Sequence, residues 1–127
     1  MRAQYHRRET PGGVLIWDVR RLVRLAGALP VFELPLAEIA ELDEDWWFAD
    51  PAAGLPTPRA IAAHWRLAAA ADLRFPVLLC AEGRLMDGMH RAARALMDGR
   101  DRIPARRFEV TPEPDHRDVA LRDLPYD

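Results

Sequence analysis

The residues best placed to do chemistry are Asp87-Gly88-Met89-His90-Arg91. They stand between an apolar run, Phe75–Cys80, with its turn Ala81-Glu82-Gly83 and short continuation Arg84-Leu85-Met86, and a helical stretch from Ala92 to Met97 that Asp98-Gly99 closes. A glycine at the mouth of a helix lets backbone approach a ligand closely. The first turn of a helix offers unpaired N–H groups and the positive end of a dipole, and both favour an anion. Arg91 adds a guanidinium fork that suits phosphate or carboxylate. Gly88, Met89, His90, Arg91 and Arg94 are therefore the candidate cradle for an anion, with a nucleotide phosphate as the natural occupant. Asp87 has two compatible readings: a helix N-cap, or a carboxylate that holds Mg²⁺ or takes the proton of a hydroxyl. His90, four residues before Arg94 on one helix face, reads as a phosphate contact, a proton carrier or a structural group. Arg91 alternatively makes a salt bridge to Asp87.

The charges around this motif are unevenly distributed. Glu38, Glu41, Asp43, Glu44, Asp45 and Asp50 form an acidic stretch without a base, whereas residues 91–107 carry six arginines against Asp98 and Asp101. Two solvated faces would explain this. If the stretches flank one cleft, Glu44 and Asp45 become candidate catalytic acids beside Asp87 and His90. Trp46-Trp47-Phe48 follows directly; adjacent aromatics cannot all face one way, so one is expected in the core and another over a pocket. His64 and Trp65 are core or cleft-wall candidates. Cys80, inside an apolar run, reads as a buried, inert thiol.

Composition narrows the field. The 127 residues suit one compact domain. All 18 basic residues are arginine, which excludes a lysine P-loop and a Schiff-base lysine and suggests a GC-rich bacterial genome. A net charge of −2 is not that of an overt nucleic-acid binder. One cysteine allows no internal disulfide, and no apolar run nears the roughly 20 residues of a membrane span, so a cytoplasmic protein is expected. No C-x-x-C or H-E-x-x-H is present, and His6, His64, His90 and His116 are scattered.

The elements that must position the motif read as follows. Residues 1–13 form a flexible tail; 14–28 a helix with Leu15, Val19 and Leu22 inward; 31–34 a short strand; and 36–42 a helical turn. The segment 43–58 is a loop, after which Thr57 caps and Pro58 opens a helix over 58–72 with Ile61, Trp65 and Ala68 on one face. A strand, turn and strand span 75–86. The motif helix runs over 89–98 with Met89, Ala93, Leu96 and Met97 inward and Gly99 at its C-terminal end, and a strand lies within 103–110. Residues 111–127 form a Pro- and Asp-rich extension over the surface. The mixture of strands and helices implies an α+β fold with a mixed sheet and helices packed around it, the domain proper spanning 14–110.

Pro76-Val77-Leu78-Leu79, then Gly83 to Leu96 around the motif, then Ile103-Pro104-Ala105-Arg106-Arg107-Phe108 resemble the ParB/sulfiredoxin superfamily over about residues 31–110. The resemblance implies a nucleotide, ATP, ADP or CTP, with Mg²⁺, its phosphates cradled by Gly88, His90 and Arg91. It implies activities ranging from CTP-dependent DNA clamps to ATP-dependent sulfinic acid repair and free-serine kinases. Met89 occupies the position of the sulfiredoxin cysteine, and a thioether cannot attack a sulfinyl phosphate, which argues against repair activity. No helix-turn-helix follows, which argues against sequence-specific DNA binding. Asp87 matches the aspartate of the serine-kinase relatives, whose upstream acid would be Glu44 or Asp45 here. Two readings result: a nucleotide-dependent phosphotransferase or phosphohydrolase acting on a small polar substrate, or a non-catalytic nucleotide-sensing module that binds a partner, with a homodimer among the alternatives.

Overall fold

The computed structural model describes residues 3–126. The fold is α+β, built on two sheets and three α-helices. Strands β1 (Tyr5–Thr10) and β2 (Gly13–Asp18) form a hairpin. Helix α1 (Val19–Ala26) follows, then β3 (Phe32–Pro35), short 3₁₀ turns, helix α2 (Pro58–Ala69), β4 (Val77–Leu79), β5 (Leu85–Asp87), helix α3 (Met89–Met97), β6 (Arg102–Arg107) and β7 (His116–Arg117). The four-stranded sheet has the order β3-β6-β4-β5; β6 pairs antiparallel with β3 and parallel with β4, so the sheet is mixed. The second sheet has the order β1-β2-β7.

The period-2 pattern of β4 shows how the layers stack. Val77 and Leu79 enter one core with Leu34, Leu85, Met89, Ala92, Ala95, Ile103 and Ala105, while Leu78 and Cys80 enter another with Trp17, Leu22, Ala26, Met86 and Phe108. Both faces of the central sheet are thus covered, by α3 on one side and by α1 and β2 on the other. That is why β4 is apolar throughout instead of alternating with polar residues.

Local signals behave as expected around α2 and α3. Thr57 accepts from the Ala60 N–H and Pro58 stands at the first helical turn. Gly99 adopts a left-handed φ of 71° just after α3. Three expectations need correction. Of the flexible tail expected over 1–13, residues 1 and 2 lie outside the described residues, and residues 5–10 are β1, paired with β2 from Tyr5↔Asp18 to Thr10↔Gly13. The helix expected from residue 14 starts at Val19; before it, Val14-Leu15-Ile16-Trp17 is strand, and Asp18 caps α1 by accepting from the Arg20 N–H. β-branched and aromatic residues favour the pleated form, and the cap sets the boundary. The inward stripe of α3 is Met89, Ala92 and Ala95, leaving Leu96 57% exposed, and on α2 Trp65 is 58% exposed. Close approach of α3 to the sheet selects small side chains, which a count of large apolar residues overlooks.

Candidate functional site

A cleft of about 1160 Å³ runs past Arg84 and β5, the edge strand of the four-stranded sheet. Its lining includes the hairpin residues Tyr5–Glu9, the loop residues Trp46 and Trp47, the β5–α3 turn Asp87–Arg91, α1 through Val19, Val23 and Ala26, and the α2–β4 segment through Leu67 and Phe75.

The turn is built tightly. Gly88 is the N-cap of α3 with φ 107°, and a Cβ there would lie 2.7 Å from Val77 Cγ1. Only glycine fits, both for the left-handed backbone and for the approach to Val77. Asp87 is accordingly the last residue of β5 and not the cap, correcting one of its two readings; no side chain caps α3. Asp87 Oδ2 instead accepts from Arg91 at 2.7 Å, and the other arm of Arg91 donates to the carbonyls of Phe75 and Pro76 at 2.9 and 2.7 Å. Both side chains are mostly buried, at 16% and 17% exposure. Arg91 therefore clamps the start of α3 to the entry of β4. Arg94 is directed elsewhere: it pairs with Asp98 at 2.9 Å and donates to the Ala69 carbonyl, lining a separate depression with Asp72, Arg74 and Arg100.

His90 lies in the first turn of α3, half buried. Its Nε2 is 2.9 Å from His64 Nδ1 on α2, so one ring donates and the other accepts. Trp47 stacks on both imidazoles, at 4.5 Å and 11° to His64 and 5.2 Å and 17° to His90. Burial pushes both histidines below the ordinary imidazole range, and His64 adds to the effect on His90. Both are neutral near pH 7. A histidine pair joining two helices 26 residues apart carries no local sequence signal.

The acidic stretch does reach the edge of β5. Glu44 receives both arms of Arg84, at 2.8 and 3.1 Å, and this guanidinium holds its carboxyl below the usual range. Asp45 lines the cleft and accepts from the Phe48 N–H. Glu41 is 2% exposed; its Oε1 accepts from the Leu85 N–H at 2.9 Å and its Oε2 has no partner. Buried carboxylates are rare without pairing, and Arg84 Nε, 3.8 Å from Oε1, is its only cation among the described residues.

The hairpin wall was not legible as a wall at all. His6 is buried between Trp17 and Trp46, with centroids 5.6 and 5.7 Å away. Burial first, then Arg8 and Arg84, lower its pKa to about 3. Arg8 donates to His6 at 3.2 Å and lies 5.4 Å over Trp17. Among the described residues it has no carboxylate partner, unlike Arg84 and Arg91.

Among the described residues no group of three or more His, Cys, Asp or Glu side chains is placed to hold a metal ion, and no helix is long and apolar enough to cross a membrane. Searches of the chain against protein-family models, curated proteins and solved structures gave no match.

Proposed function

We propose that the cleft binds the phosphates of a nucleotide, of the ATP, ADP or CTP class, at the first turn of α3. The observation that carries this reading is the uncapped start of α3 opening on a cleft that Arg8 also lines without a carboxylate partner. Free N–H groups and a guanidinium without an ion-paired carboxylate together favour a polyanion. Trp46 and Trp47 offer apolar faces for the base. Arg91 serves by fixing the turn, and Arg8 takes the contact first expected of it. The resemblance of residues 31–110 to the ParB/sulfiredoxin superfamily points to the same ligand, and a bacterial, cytoplasmic protein is part of that reading.

A nucleotide would leave neutral His90 beside its phosphates as a general base toward the hydroxyl of a small polar substrate, with His64 orienting the ring. This is the phosphotransferase or phosphohydrolase form of the proposal. The donor set does not make a protein-held Mg²⁺ site: Asp87, the carboxylate of the turn, is bonded to Arg91. An ion would enter on phosphate oxygens. That same pairing favours a second reading, a nucleotide-sensing module without turnover, because Asp87 and Arg91 neutralise one another.

Thermal shift with ATP, ADP, CTP and GTP, each with Mg²⁺, tests the proposal. A ligand at 100 times its Kd raises the melting temperature of a domain of this size by about 8–15 °C. Arg8→Ala should abolish the shift while the unliganded melting temperature stays within a few degrees. No shift with any nucleotide overturns the reading. A shift without product release over hours selects the sensing module.

A further inference from the structure

Residues 44–56 form a strap along the cleft, which Asp45, Trp46, Trp47 and Asp50 line, and side chains hold it to the sheets and to α3. Among the described residues, no hydrogen bond joins the backbone of residues 45–56 to either sheet or to α1 or α3; its backbone bonds are internal, such as Ala53 N–H to Asp50 O at 2.8 Å. Its attachments are Glu44 on Arg84, Asp50 on Arg7 at 3.4 Å, Trp46 on His6, Trp47 on the His64–His90 pair, Phe48 edge-on to His64, and both indoles against the margin of the core that holds Val77 and Leu85. Two neighbouring indoles are thus docked on imidazoles of different character.

We propose that this strap is an acid-released lid: below neutral pH the Trp47 end leaves the His64–His90 pair while the Trp46 end stays on His6, opening the cleft. The inference concerns access and holds whatever the cleft contains.

The pair is bonded through facing nitrogens 2.9 Å apart, so at least one ring must be neutral. One proton can be shared; a second places two like charges at hydrogen-bond distance. Among the described residues no carboxylate is hydrogen-bonded or ion-paired to either ring. The strap brings Trp47, Phe48 and Asp45, whose carboxylate is turned to the Phe48 N–H. Helix α3 brings Arg91, already paired with Asp87. On α2, the neighbours Ala60, Ile61, Ala63 and Ala68 carry no charge. His90 is influenced by burial and by His64, and His64 by burial alone. The closed position also leaves Trp47 Nε1 buried without an acceptor, a cost that release to water removes. At the other end, His6 lies between two indoles and next to Arg8, and stays neutral down to about pH 3. It anchors Trp46 across the range in which the pair titrates.

Acrylamide quenching of the full chain between pH 8 and pH 5, read with NMR titration of the histidine rings, tests this. Trp46→Phe and Trp47→Phe separate the two indoles. His64 and His90 should titrate as one coupled pair below the value of a free histidine, and Trp47 should become open to quencher over the same range, with Trp46 unchanged and the far-ultraviolet circular dichroism constant. His64→Phe and His90→Phe each keep a flat ring under Trp47 and remove the second charge; the step should be lost in both. The proposal is overturned if Trp47 stays protected through the histidine titration, if Trp46 is released with it, if both phenylalanine variants keep the step, or if helical signal falls together with the step.

Discussion

Two walls of the cleft, the β5–α3 turn and the hairpin, are held by opposite means. The β5–α3 turn is closed on itself: Asp87 and Arg91 satisfy one another, Arg91 binds two carbonyls, and Gly88 fits against Val77 with no room for a methyl group. The hairpin wall is a column of rings, Trp46, His6 and Trp17, with Arg8 bonded to His6 and lying over Trp17. The turn uses up its charge to be rigid; the hairpin keeps at the cleft a guanidinium whose contacts are the uncharged rings of His6 and Trp17. Which arginine can meet a ligand thus depends on which one the fold has left without a carboxylate to pair with, and a motif position does not decide it.

Substitutions can break this contrast. The largest loss is expected for Arg91→Met, which strands a mostly buried Asp87; breaking such a pair costs about 3–5 kcal/mol, and a urea melt that moves by less than a third of that would make the clamp dispensable. Restoring neutrality with Asp87→Asn in the same chain should recover part of the loss. Gly88→Ala comes next: left-handed strain and the Val77 contact together cost about 2–4 kcal/mol, again read by denaturant midpoint.

The hairpin wall should make stability depend on pH through His6. His6 in the folded chain has its pKa lowered to about 3, whereas the unfolded chain binds that proton near the ordinary value of about 6.5. In that window the unfolded state holds more protons, so its contribution to stability is complete above about pH 6.5 and falls by about 1.4 kcal/mol per pH unit as pH drops towards 3. His6→Phe should flatten that slope in melts at pH 7, 6 and 5; an unchanged slope would place the titration elsewhere. The smallest stability effect is expected for Arg8→Ala, about 1 kcal/mol for a lost cation–π contact, although it should remove nucleotide binding. If Arg8→Ala binds normally and a folded Arg91 variant does not, the assignment of the two walls is reversed.

The motif strand, turn, helix and final strand could be read from sequence because their signals are local: an apolar run, Thr57 and Pro58 at one helix start, Gly99 after another. The α+β class followed from them. The hairpin could not be read so, because β1 depends on β2, and β2 also pairs with β7 through Leu15↔Arg117, a contact closed by about a hundred residues of chain. Within the site, Asp87, Gly88, Met89, His90 and Arg91 all line the cleft, and Glu44 and Asp45 come to its rim. What the motif could not reveal was commitment: that Arg91 is engaged by two carbonyls, that Arg94 turns to Asp98, that His90 leans on His64, and that Glu41 rather than Glu44 is the buried acid behind β5. Each depends on a partner from another element.

Strand β6 lies inside its sheet, between β3 and β4, yet is the last of the four to occur along the chain. A chain emerging from the ribosome can form the β4–β5 pair early, but β3 has no neighbour to bond until residues 102–107 arrive, with nearly 70 residues between the partners Leu34 and Ile103. Closing so long a loop comes before its reward. The nascent protein therefore carries unpaired strand edges for most of its synthesis, and its sheet closes as a late, cooperative event.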